Sequence, residues 1–254
     1  MLTFISCAKT MTRDTAALSL PLSTPRYAEL AAENARAMAQ YSTEELAAML
    51  HVSRAIAQEN HLRYADFALR SEALRPAILS YTGVVFQHIA PADFTAEDFL
   101  WAQDHLRITS FLYGLLRPLD GIRNYRMEGA LRLEEHGSKT MFEFWRERLT
   151  DEFIAAIRAQ GGTLVNLASG EMKNLFDWKR IEREVRVITP EFRQWKNGRL
   201  AVVTVYAKMC RGEMVRHFIK QRVEQPDVLK EFAWEGFRYS EEHSTDSVYM
   251  FIAE

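Results

Sequence analysis

The stretch from His105 to Arg132, HLRITSFLYGLLRPLDGIRNYRMEGALR, sets the tightest limit on what this chain can fold into. It carries Arg107, Arg117, Arg123, Arg126 and Arg132 against only two acids, Asp120 and Glu128. Threaded among them are Ile108, Phe111, Leu112, Tyr113, Leu115, Leu116, Leu119, Ile122 and Tyr125. A surface loop would not carry that apolar weight, and a core strand would not carry so many guanidinium groups. Leu106 to Tyr113 reads as a largely buried strand or short helix. Arg117-Pro118-Leu119-Asp120-Gly121 reads as a turn, because Pro118 presets φ and Gly121 tolerates a positive one. Arginines on such a frame suit an anion, since the planar guanidinium makes bidentate contacts to phosphate or carboxylate. The same residues also suit an internal network, with Arg117 and Arg126 paired to Asp120 and Glu128, and such networks mimic functional sites. Both readings stand at this level.

Motifs along the chain add a resemblance. SFLYGLLRPLDGIRNYRMEGALRL closely resembles LSGLYGxLRPLDxxxPYRLEMGxxL, typical of the bacterial YaaA-type peroxide-stress family. Ser6, Ala8 and Lys9 match the family's SPAK, with Cys7 in place of proline. Tyr81-Thr82-Gly83-Val84-Val85-Phe86 is similar to its aromatic-x-Gly-x-Val-Tyr pattern, and Asn166, Ser169 and Glu171 match NLAS-x-EY, with Met172 replacing the aromatic. Tyr206-Ala207-Lys208 through Met214 matches YAKxARGxM, with Cys210 replacing alanine, and Glu235-Gly236-Phe237 resembles EGY. The matches run in order over essentially the whole chain. The resemblance implies a cytoplasmic protein that protects against hydrogen peroxide by binding DNA and limiting damage from free iron. It also implies a helix-hairpin-helix DNA-binding unit, which would fall within residues 42–67.

Composition narrows the other classes. An apolar fraction of 48% and a charged fraction of 26% over 254 residues are those of an ordinary globular protein. A net charge of −2 excludes a generally basic nucleic-acid coat, so any polyanion site must be a local concentration of Lys and Arg. The apolar runs are too short for a membrane span, and MLTFISCAKT lacks the flanks of a signal peptide. Two cysteines point to a reducing cytoplasm. There is no CxxC, HExxH or acidic calcium loop, so neither metal nor cofactor is expected.

The pattern of elements predicts a mixed α/β (α+β) fold: one domain over 1–254, with a mixed sheet or partial barrel surrounded by helices. Leu2 to Ser6 is a short strand. Thr24-Pro25 reads as an N-cap opening a helix to about Gln40. Ser42 to Glu45, Phe94 to Phe99 and Thr140 to Glu143 read as capping boxes, the second with a Phe94–Phe99 staple. Ser53 caps a helix from Arg54 to about Phe67. Its glycine-free link, His51-Val52-Ser53, makes either a phosphate-contacting unit or an ordinary helical hairpin. Gly83 allows a tight turn or simply interrupts the local structure. Gly161-Gly162 ends a helix and Leu164 to Ala168 follows as a buried strand. Lys196-Asn197-Gly198-Arg199 is the clearest hairpin turn, joining Val185–Trp195 to Leu200–Ala207. Beyond it, Met214, Val215, Phe218 and Ile219 point inward on a helix, leaving Arg216, Lys220 and Arg222 as a solvated face. Phe232 to Tyr239 and Val248 to Ile252 are closing strands.

Four strand-end or turn positions carry the candidate chemistry: Lys9; Arg117 with Asp120, Arg126 and Glu128; Ser169 with Glu171 and Lys173; and Lys208 with Arg211. Lys9, Arg126, Arg117, Lys173, Lys208 and Arg211 are candidates for holding an anion or nucleic acid. Glu171, Ser169 and Asp120 are candidate catalytic groups, with Lys173 the nearest base for Ser169. No Walker loop, Rossmann fingerprint or Ser-His-Asp signature names a reaction. Two partners follow: DNA, duplex or branched, or a nucleotide or phosphorylated small molecule on which an enzyme acts. Cys7 and Cys210 each lie two positions from a lysine, but both depart from the family residue and read as inert thiols.

Overall fold

The computed structural model describes residues 1–12, 20–69 and 73–253. In chain order the elements are β1 (Leu2–Ile5), α1 (Ala28–Met38), α2 (Thr43–Leu50), α3 (Arg54–Leu69), β2 (Arg75–Pro76), α4 (Ala77–Ser80) and α5 (Val84–Ile89). Then follow α6 (Ala96–His105), β3 (Leu106–Ser110), β4 (Gly114–Leu116), β5 (Gly121–Ile122), α7 (Met141–Ala159), β6 (Thr163–Asn166) and α8 (Trp178–Glu184). The chain continues with β7 (Arg186–Lys196), β8 (Arg199–Ala201), α9 (Thr204–Lys220), β9 (Ala233–Trp234), β10 (Phe237–Tyr239) and β11 (Val248–Ala253). A nine-stranded mixed sheet runs in the order β4-β3-β1-β6-β7-β11-β10-β9, with β8 paired to β7, while β2 and β5 pair separately. The mixed α/β class expected from the sequence is the one observed.

β1 sits inside the parallel portion, with Thr3 opposite Leu106 of β3 on one edge and Val165 of β6 on the other. Its four residues are all buried, as a strand covered on both faces requires. Phe4 packs edge-on against Phe153 of α7 at 5.2 Å and against Phe176 at 6.1 Å. The three expected capping boxes form at Ser42/Glu45, Thr95/Asp98 and Thr140/Glu143. Phe94 and Phe99 meet at 5.6 Å, and Gly161 and Gly162 end α7 at positive φ. Among the described residues no helix is long and apolar enough to cross a membrane.

Four sequence expectations give way to packing. α1 starts at Ala28, not after Thr24-Pro25. The Tyr27 ring is held edge-on to Trp145 at 5.3 Å and its hydroxyl donates to the Arg148 carbonyl at 3.1 Å, which keeps Pro25 to Tyr27 in a turn. The strand expected over Leu200–Ala207 stops at Ala201, and Thr204 onward is helical. The β-branched run favours a strand locally, but Ala207, Cys210, Met214, Val215, Phe218 and Ile219 are buried only as a helix face, and that burial decides. Phe232 to Tyr239 divides into a hairpin, β9 and β10, because Glu235 and Gly236 adopt φ of 46° and 82°. The solvated face of α9 is instead an ion-pair network. Arg216 forks onto Asp93 at 2.7 and 2.6 Å, while Lys220 and Arg222 reach Asp98 at 2.7 and 2.8 Å.

Gly212 explains how α9 is seated. A Cβ there would lie 2.3 Å from the Val85 carbonyl oxygen and 2.6 Å from the His88 Cβ, so α5 and α9 touch backbone to backbone. Gly212→Ala should therefore lower stability despite its better helix propensity, by about 1–3 kcal/mol, read as a fall of several degrees in Tm. For Asp98, burial opposes ionisation, but the Lys220 ammonium, the Thr95 N–H and Arg222 outweigh it and hold the carboxyl below its usual range. A depressed carboxylate stabilises the fold above its unfolded pKa of about 3.9 and loses that contribution as pH falls. Asp98→Asn should cost about 1–3 kcal/mol at pH 7 in urea denaturation, and the gap to wild type should shrink below about pH 4.

Candidate functional site

β3 and β6 pair with β1 on its opposite edges, so the strand order reverses at β1 and a crevice lies at the carboxyl ends of β1 and β6. Open α/β sheets gather ligands at such a switch point. Ser6 to Thr10 follow β1, and Leu167 to Met172 follow β6. The two segments are tied together at their start, where the Ser169 N–H donates to Ser6 Oγ at 2.9 Å and the Ser6 hydroxyl donates to Ser169 Oγ at 3.2 Å. Between them lies a cavity of about 480 Å³. α5 closes one wall. A Cβ on Gly83 would stand 2.8 Å from the Ala8 Cβ, and its φ of −66° is ordinary, so the glycine provides close approach and not a tight turn.

Lys9, Arg126, Lys208 and Arg211 line this cavity, together with Glu128, Glu171 and Ser169. Glu128 bridges two of the cations, Lys9 at 2.9 Å and Arg126 at 3.2 Å. The Tyr64 hydroxyl donates to the Arg126 carbonyl and fixes that segment from α3. Lys208 and Arg211 lie three residues apart on α9 and so share a face. Neither has an ion-pair partner among the described residues. Burial pushes the Arg211 guanidinium below its usual value, with Glu191 opposing, and the Nε atoms of Arg211 and Arg126 are buried without a hydrogen-bond partner among the described residues. The exposed Glu171 carboxylate also has no hydrogen-bond or ion-pair partner among the described residues.

Most of the remaining lining is apolar and includes Phe86, Phe111 and Met172, while Ser6, Thr10 and Tyr125 add hydroxyls. Thr109 Oγ1 accepts the Cys7 N–H at 3.1 Å and donates to Met172 Sδ at 3.2 Å. Tyr125, at the cavity wall, shares its hydroxyl with Tyr81 at 2.8 Å and Ser110 at 2.7 Å. Burial raises both phenols well above their usual value, so they are neutral hydrogen-bonding groups and not bases.

Three candidates stand elsewhere. The Asp120 carboxylate accepts the Arg117 N–H at 2.8 Å and the Ser23 hydroxyl at 2.7 Å, and it pairs with the Arg117 guanidinium at 3.4 Å. It is 1% exposed and holds its own turn together. The internal-pair reading therefore describes Arg117 and Asp120. Arg126 combines an internal pair with a place in the cavity. Lys173 lies 4.9 Å over the Trp178 ring, and Ser169 has Ser6 as its partner, so no base is hydrogen-bonded to that hydroxyl. Ser6 has no role legible in sequence, because only the register of β1 against β6 brings it to Ser169.

Among the described residues no group of three His, Cys, Asp or Glu side chains is placed to hold a metal ion. Fold and cleft together define an α/β protein with a cation-lined crevice at the switch point of a mixed sheet. The chain belongs to the family described as peroxide stress protein YaaA, whose model matches residues 1–243. It is 58% identical to a UPF0246 protein of Phocaeicola vulgatus over 99% of this chain and 98% of the relative. It is 46% identical to one of Parabacteroides distasonis over 100% of both chains, and 34% identical to one of Clostridium beijerinckii over 100% of this chain and 98% of that one.

Burial pushes the Cys7 and Cys210 thiols up to about 12. Since only the thiolate is nucleophilic, alkylation at pH 8 should be at least about a hundredfold slower in the native protein than in urea. Equal rates in the two states would show that the thiols are reactive.

Proposed function

We propose that the protein serves the peroxide-stress response by binding DNA through this cleft, thereby limiting damage from free iron. The observation that carries the reading is the surplus of cations there: Lys208 and Arg211 line the cavity without an ion-pair partner among the described residues, in a chain whose net charge is −2. A phosphate backbone needs such a local concentration. The protection from iron is indirect on this reading, because the cleft offers phosphate-binding groups and not a ligand set.

The α2–α3 hairpin is a weaker phosphate contact. Arg54 is paired to Glu44 at 3.1 Å and Arg63 to Glu59 at 2.7 Å. At the link, the His51 and Val52 N–H groups bond back to the Ala48 and Ala47 carbonyls. The helix-hairpin-helix role is thus secondary to the cleft in this proposal.

A second reading, an enzyme acting on a nucleotide or phosphorylated small molecule, is favoured by the small-molecule size of the cleft and by Glu171, a carboxylate available as acid or base.

Binding to duplex and branched DNA across about 50–200 mM salt separates the two. For the wild type, affinity should fall steeply with salt. The Lys208→Ala/Arg211→Ala double variant should bind more weakly with a slope shallower by about 2, whereas Arg117→Ala should match wild type and Arg54→Ala/Arg63→Ala should lose little. Absence of binding at the lowest salt would sink the DNA reading. Stabilisation by one class of nucleotide or phosphorylated metabolite would then favour the enzyme.

A further inference from the structure

Taken as an anion site, the cleft has a shape and an unused group that phosphate alone does not explain. At about 480 Å³ it falls within the range of pockets that enclose one small molecule, roughly 300–1,000 Å³. A volume of that size holds one nucleotide and not a length of duplex, whose backbone would meet the cations only from the mouth of the cleft. Its lining is divided. Lys9, Arg126, Lys208 and Arg211 supply the positive groups, and Phe86 and Met172 are among the apolar lining residues. Glu171 supplies a carboxylate without a cation partner among the described residues, and the Ser169 hydroxyl hydrogen is left over after Ser169 accepts from Ser6.

A bare phosphate would use the cations, leave the apolar lining wet and be repelled by Glu171. A ligand that satisfies all three needs an anionic end, a flat apolar body and a hydrogen-bond donor at its far edge. A nucleotide whose base carries an exocyclic amino group has all three, and a carboxylate accepts from such an amino group, as Glu or Asp does from cytosine N4.

We infer that the cleft receives a single nucleotide unit, unpaired or extruded from its strand, with its phosphate on the Lys/Arg set and its amino-bearing base against the apolar lining of Phe86 and Met172, facing Glu171. This rests on the reading of the cleft as an anion site. A base inside a duplex must be unstacked and unpaired before entry, at a cost of a few kcal/mol that an already unpaired base avoids. The DNA preferred by the cleft is therefore one that presents an unpaired amino-bearing nucleotide.

Two measurements test it on the whole protein. In thermal-shift titrations at matched ionic strength, cytidine monophosphate should bind at least about tenfold tighter than inorganic phosphate and several-fold tighter than uridine monophosphate. Glu171→Leu should erase the preference between the two nucleotides and, with the repelling carboxylate gone, should strengthen phosphate binding if it changes it at all. Phosphate binding as tight as the nucleotide, or equal affinity for both nucleotides in the wild type, overturns the inference. In DNA binding at fixed salt, a duplex with one bulged cytidine should bind about tenfold tighter than the fully paired duplex. Val84→Trp, which narrows the cavity, should remove that preference and keep the salt slope. A bulge preference that survives Val84→Trp, or no preference in the wild type, also overturns it. If no DNA binds but the nucleotide preference holds, the DNA reading fails and this assignment stands.

Discussion

The backbone of Leu2 to Ile5 is hydrogen-bonded along both edges, and the architecture of the cleft depends on that strand being satisfied from two sides. Its polar groups are far from water, so leaving either edge unpaired would be expensive. β3 and β6 must therefore both reach it, one at the end of α6 and the other at the end of α7. The segment beyond Ile5 then emerges at the point where the strand order reverses. The Ser6–Ser169 contact continues this pairing by one more step with side chains in place of backbone. The cleft is the place where the sheet's hydrogen bonding ends.

Charge is sorted by depth around this frame. Asp120, Asp98 and Asn124 are buried and do structural work, capping turns or joining loops. Arg216 and Lys220 on α9, with Arg222 just beyond its end, clamp the helix to Asp93 and to Asp98 in the first turn of α6. Once these pairs are set aside, Lys208 and Arg211 remain at the cleft without an ion-pair partner among the described residues, both placed by the turn of helix that Gly212 allows to press on α5.

Much of the fold was legible where local chemistry and tertiary packing agree. Ser42, Thr95 and Thr140 are caps with reciprocal partners three residues on, Asn197-Gly198 makes the expected turn, and the α7 stripe from Phe144 to Ile157 is core. Legibility failed where a distant contact overrode local preference. Val202 to Tyr206 is β-rich yet joins or adjoins a helix, because residues from Ala207 to Ile219 find their burial against α5 and α6. Tyr27 delays α1 because Trp145, far along the chain, takes its ring. For the site, Lys9, Arg126, Ser169, Glu171, Lys208 and Arg211 were recognisable as strand-end or motif residues, but their meeting depends on sheet order, which no local pattern encodes. Arg117 looked the same in sequence as Arg126, and only the burial of Asp120 separates the two.

The Glu128 carboxylate, seated between Lys9 and Arg126, has a consequence for any anion that enters. It is a tethered competitor, present at an effective concentration in roughly the millimolar range or above. A small monovalent anion meets two cations that are already occupied and gains little by exchanging with a carboxylate that cannot diffuse away. A larger ligand that reaches Lys208 and Arg211 at the same time draws on cations with no such incumbent. The cleft thus filters its ligands by reach before it filters them by charge.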